Sequence, residues 1–126
     1  MIRRPTGSTR FPYTTRVRST FQALRMDLAE MDTRLRAAEL LVTEAAEAVE
    51  RGEAAVKEVA RAKFFATESA GWICDRAVQH LGGLGVKRGQ IVERLYREVR
   101  ALRIYEGTSE VQKLILAKAV LEVAKS

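Results

Sequence analysis

From Phe21 onward, apolar residues recur at steps of three or four: Phe21, Leu24, Leu28, Met31, Leu35, Ala38, Val42, Ala45 and Val49, with Asp27, Glu30, Asp32, Arg34 and Glu39 between them. That period predicts one amphipathic helix of about 30 residues. Gly52 in "ERGEA" ends it, because a helix commonly closes on a glycine in the left-handed conformation. A second helical pattern runs from about Glu53 to Leu81, with Val56, Val59, Ala60, Phe64, Thr67, Ala70, Ile73, Ala77 and Leu81 as its stripe, and stops at the glycines of "GGLG". Two long helices across a short turn predict an antiparallel hairpin. Alanines 60, 62, 66 and 70 let helices approach closely, with Phe65 and Trp72 filling gaps at the crossings. A third helix is predicted from about Gly89 to Arg103, with Ile91, Val92, Leu95, Val99 and Leu102 apolar. A fourth runs from Ser109 to about Ala124, with Val111, Leu114, Ile115, Ala119 and Val123 inward and Thr108 or Ser109 as N-cap. The fold class is all-α, an up-and-down bundle of four main helices.

Residues 1–20 break this pattern. "MIRRPTGSTRFPYTTRVRST" has no period, is punctuated by Pro, Gly, Ser and Thr, and carries five arginines with no acid, so it is expected to be a disordered basic tail. Three readings apply to it: an organellar transit peptide, a basic arm on nucleic acid, or a segment that is not native. The third is preferred, because "TRFPYTTRVRST" looks like the in-frame translation of a sequencing-library adapter. The domain proper is then 21–126.

Composition changes this picture little. The formal charge is +6, but the chain beyond residue 20 holds 17 basic and 16 acidic residues. A mixed-sign body argues against an electrostatic groove for nucleic acid. One cysteine, Cys74, and one histidine, His80, exclude an intramolecular disulfide and a structural zinc set, and no metal site is expected. The absence of disulfide chemistry points to a reduced, cytoplasmic setting, and no apolar run approaches a membrane span.

Two places are candidates for chemistry. "QHLGGLGVKRG" has three glycines in four positions, which allow close backbone approach; as a phosphate signature it is weak, since it follows a helix and not a strand. "YEGTSE" puts Glu106 before the fourth helix, whose free N–H groups suit an anion or a carbonyl oxygen. On the residues alone, Glu106 is either a solvated acid favoured by the helix dipole or a functional carboxylate.

"AVQHLGGLG", followed some twenty residues later by "RLYREVRALRIYEGTSEVQKLILAK", closely resembles the C-terminal domain of the acyl-CoA dehydrogenases, flavoproteins that introduce a trans double bond beside an acyl thioester. The resemblance runs from about Phe21 to the C-terminus. It implies that Glu106 is the base removing the pro-R α-proton while the β-hydrogen leaves as hydride to flavin N5. It also implies that the thioester carbonyl is held by a flavin ribityl hydroxyl and the Glu106 N–H. Tyr105 would line the acyl pocket and Gly107 would contact substrate. Thr108, Ser109 and Glu110 would contact the flavin of FAD, with only a main-chain contact carried over at Glu110, where many relatives have glutamine. Gln79, His80, Leu81, Gly82 and Gly83 would touch the adenosine pyrophosphate half of FAD on a neighbouring subunit. His80 is aliphatic in many relatives and Lys118 replaces a common arginine.

The resemblance further implies acyl-CoA as substrate, an electron-transfer flavoprotein as acceptor, and a homo-oligomer, with no nucleic acid and no membrane. The family's N-terminal helical domain, its β-domain and the first bundle helix have no counterpart in the chain. It is therefore expected to be a truncated domain, without tight FAD binding or turnover alone. An acyl-CoA oxidase relative and a non-catalytic helical interaction module with a basic arm are the alternatives.

Overall fold

The computed structural model describes residues 21–125, so the expectations for residues 1–20 lie outside the described residues. Four helices follow in order: α1 (Gln22–Glu50), α2 (Val56–Leu81), α3 (Ile91–Leu102) and α4 (Ser109–Val123), with a short 3-10 turn, Gly82–Leu84, after α2. The described residues form helices and turns only, as the pattern predicts.

Helix α1 closes on Gly52, whose φ is 74°. The Gly52 N–H donates to the Val49 carbonyl (2.9 Å) and the Glu53 N–H to the Ala48 carbonyl (3.1 Å), which is the Schellman pattern and satisfies two carbonyls the helix would leave bare. The turn sends α2 back along α1. His80 Nε2 meets Asp27 Oδ2 at 2.6 Å, tying the end of α2 to the start of α1 and establishing the antiparallel hairpin. After α2 the chain doubles back so tightly that a Cβ on Gly85 would lie 2.4 Å from the Val78 carbonyl oxygen, so only glycine fits there.

Helix α2 is the centre of the molecule. It packs against α1, α3 and α4, while those three touch one another at most marginally. Accordingly no position from Ala60 to Cys74 is fully exposed. The buried side chains are small or polar: Ala38, Ala45, Ala48, Ala55, Ala60 and Ala62, with Ser69, Ser109 and Gln112. Small residues let the helix axes approach, as expected for Ala60 and Ala62. Trp72, half-buried, is covered by the Arg34 guanidinium 4.5 Å above its ring, a cation–π contact linking α1 to α2.

Individual stripes are rotated from the sequence expectation. In α1 the inward line is Leu24, Asp27, Met31, Arg34, Ala38, Leu41, Ala45 and Ala48, while Phe21, Leu28, Leu35, Val42 and Val49 are exposed. In α4, Val111, Leu114 and Val123 face out and Ser109 and Gln112 face in. Hydrogen bonding holds these two inward: Ser109 donates to Glu68 of α2, and Gln112 to the carbonyls of Glu106 and Gly107.

Candidate functional site

The turn between α3 and α4 is built from both ends. Helix α3 stops at Leu102, with the Ile104 and Tyr105 N–H groups both donating to the Ala101 carbonyl. Thr108 then starts α4 in extended conformation, its hydroxyl accepting from the Val111 N–H at 3.3 Å, as an N-cap should. Between them Glu106 and Gly107 have φ of 55° and 84°. Two successive left-handed residues fold the chain sharply and leave the Glu106 side chain exposed. Its carboxylate takes no hydrogen bond or ion pair among the described residues. Tyr105 beside it is also exposed.

Side chains of α2 and α4 hold this turn from beneath. Lys63 donates to the Tyr105 carbonyl at 3.0 Å and also to the Gly107 carbonyl. Gln112, buried on α4, reaches the Glu106 and Gly107 carbonyls at 3.5 and 3.4 Å. One turn further along α2, Glu68 takes both Arg103 (Nε to Oε1 2.8 Å, Nη2 to Oε2 2.6 Å) and the Ser109 hydroxyl at 2.6 Å. A single carboxylate thereby joins α2, the end of α3 and the first residue of α4. Burial alone pushes the Glu68 carboxyl up; donation from Ser109 and Arg103 and the charges of Arg103 and Lys113 outweigh it and hold the group below the usual carboxylate range.

Lys63, Glu68, Arg103 and Gln112 were not singled out from the sequence. No motif surrounds Lys63 or Glu68 in the sequence, and only the packing of α2 against three neighbours gives them a structural role.

The start of α4 is largely satisfied by its own chain. The Ser109 N–H donates to the Arg103 carbonyl at 3.2 Å. The exposed Glu110 carboxyl is held below its ordinary value by its own N–H and by the Thr108 hydroxyl. With its proton donated to Glu68, the Ser109 hydroxyl can only accept from a ligand. A cavity of about 110 Å³ lies beside this helix start, among Glu68, Arg103, Thr108 and Ser109. A larger cleft of about 300 Å³ opens between α2 and α3, lined by Glu68, Trp72, Asp75, Tyr96 and Arg103 among others.

Gln79, Gly82 and Gly83 are exposed at the far end of α2, with open space around both glycines; His80 and Leu81 are half-buried, His80 against Asp27. Lys63 and Gln79 are 16 residues apart on one helix, about 24 Å along its axis. The two groups of predicted residues are therefore not brought together within this chain. Among the described residues no cluster could hold a metal ion, and no helix is long and apolar enough to cross a membrane.

Comparison with known proteins places the geometry in context. The family model for the acyl-CoA dehydrogenase C-terminal domain matches residues 14–121. A 3-(aryl)acrylate reductase of Clostridium sporogenes is 50% identical over 102 residues, covering 81% of this chain and 27% of that protein. The CarC subunit of the caffeyl-CoA reductase–Etf complex of Acetobacterium woodii is 44% identical over 102 residues, with the same shares of 81% and 27%. Among solved structures, butyryl-CoA dehydrogenase of Megasphaera elsdenii superposes with a TM-score of 0.80 at 32% identity, over 92% of this chain and 29% of that one. The chain spans about a quarter of the length of the curated relatives it matches.

Proposed function

The chain belongs to the acyl-CoA dehydrogenase family through that family's C-terminal domain, and from that premise we propose that Glu106 is the proton-transferring carboxylate for α,β-dehydrogenation of acyl-CoA thioesters. The observation that carries this reading is the turn: an exposed carboxylate with no partner among the described residues, on a backbone whose carbonyls are drawn inward by Lys63 and Gln112. A base must be free to reach its proton, and Glu106 is free while the peptide groups around it are not. Its N–H, not taken by any backbone acceptor among the described residues, is a donor for the thioester oxygen as charge develops there. Tyr105 and Gly107 flank the same face and would meet the acyl group.

FAD fits the residues as an edge rather than an enclosure. The uncrowded glycines Gly82 and Gly83, with exposed Gln79, suit the pyrophosphate end, while the start of α4 at Thr108, Ser109 and Glu110 would meet the flavin end. Bound FAD would supply the acceptor for the β-hydrogen as hydride. The separation of these two groups along α2 supports a site shared between copies of the chain in a homo-oligomer.

A second reading is favoured by the relatives named as reductases, at 50% and 44% identity. The same site run in reverse has Glu106 returning a proton to the α-carbon, with an electron-transfer flavoprotein delivering electrons instead of accepting them. The proton-transfer test covers both directions. In the FAD-loaded enzyme carrying this domain, Glu106→Gln is expected to retain FAD and lose turnover by on the order of 10²–10⁴-fold. Normal turnover in that variant would remove Glu106 from the role.

A further inference from the structure

We propose that Lys63 is a positioning residue that aims the Glu106 N–H at the reacting carbonyl. The proposal rests on the proton-transfer reading of Glu106 and adds to it a second residue, carried by α2.

In a planar trans peptide the carbonyl of one residue and the N–H of the next point in opposite directions. No peptide bond among the described residues is cis. The Lys63 ammonium draws the Tyr105 carbonyl toward α2 at 3.0 Å, so the N–H of Glu106, in the same peptide plane, must point away from α2, toward the open face that carries the Glu106 carboxylate. Gln112 repeats the device one peptide later: by holding the Glu106 carbonyl it turns the Gly107 N–H outward. Lys63 also donates to the Gly107 carbonyl, so one ammonium spans the peptide planes on either side of the Glu106–Gly107 pair.

Such a clamp is needed because the turn is not a conformational minimum. Glu106 is the one non-glycine residue among those described with positive φ, at 55°. A non-glycine residue persists in that conformation only where its surroundings hold it there. Without a donor beneath, the Tyr105–Glu106 peptide can rotate, and its carbonyl rather than its N–H would face the thioester. Oxyanion donors contribute only when fixed in direction before the reaction. Lysine suits the task since its ammonium has three hydrogens and can serve two carbonyls, and its charge strengthens each bond.

The test separates this role from that of Glu106 and from mere stabilisation. On the isolated chain, the orientation of the Glu106 N–H is read as its residual dipolar coupling in Lys63→Met, Lys63→Arg and unsubstituted protein. Lys63→Met should shift the Glu106 coupling and leave those in α1 unchanged, and Lys63→Arg should restore much of the original value. In the FAD-loaded enzyme, Lys63→Met should lower kcat by at least about tenfold with KM little changed, and Lys63→Arg should recover part of the loss. An unchanged Glu106 coupling in folded Lys63→Met would overturn the proposal and leave the base role standing. Should Lys63→Met not fold, Lys63→Leu carries the same measurement at the Glu106 N–H, and an unmoved coupling in the folded Lys63→Arg and Lys63→Leu proteins alike refutes the clamp. A loss of function confined to Glu106→Gln, with Lys63→Met fully active, would likewise refute it.

Discussion

At Glu106 and Gly107 the backbone is held in two successive left-handed conformations, and the side chains that hold it come from elsewhere in the chain. Glycine at 107 is required by more than its φ of 84°: a Cβ there would sit 2.6 Å from Gln112 Nε2, the same amide that reaches the turn's carbonyls. Gly107→Ala is therefore expected to cost about 1–2 kcal/mol from backbone strain and the displaced amide, measured by urea unfolding. An alanine variant as stable as the original would show that the turn relaxes freely. The identity of Glu106 as the residue of interest was legible through its motif. Lys63 and Gln112 were not, because in sequence a lone lysine or glutamine on a helix is indistinguishable from a solvated one.

Among the elements, α4 shows where hydrophobic period fails. Its sequence places Val111, Leu114 and Val123 inward, yet Ser109 and Gln112 are the buried residues: Ser109 donates to Glu68 of α2, and Gln112 to the carbonyls of the turn that precedes α4. The Glu68 junction gives this a pH signature. Its carboxyl is held below the ordinary value in the fold, so the unfolded chain binds the proton more readily. The stabilisation is fully present above the unfolded glutamate value of about 4.3 and disappears as pH falls through the lower folded value. Unfolding free energies measured between neutral pH and about pH 3 should fall more steeply in the original protein than in Glu68→Gln. Parallel curves for the two proteins would mean that Glu68 is not tied in solution. In α1 the outcome is a rotation: the helix and its Gly52 stop stand as predicted, but packing selects the line through Asp27 and Arg34, which meet His80 and Trp72 of α2.

On the scale of the whole molecule, three helices surround one, and the outer faces keep much of their apolar character. Phe21, Leu28, Leu35, Val42 and Val49 form a line on α1, each 48% to 61% exposed. Exposed apolar side chains bind hydrophobic dyes. Leu28→Glu combined with Leu35→Glu should reduce the fluorescence of bound anilinonaphthalene sulfonate while changing stability by only about 0.5 kcal/mol per site, with helical circular dichroism unchanged. Undiminished dye binding would place the apolar surface elsewhere. The sequence by itself determined the four helices, their stops and the order of the two motifs, since period, capping and glycine placement act within a few residues of chain. Only the tertiary structure decided which faces meet and which polar side chains hold the Glu106 turn. Those depend on α2 lying between all its neighbours, and a hydrogen bond between residues 42 or 44 positions apart leaves no local trace in the chain.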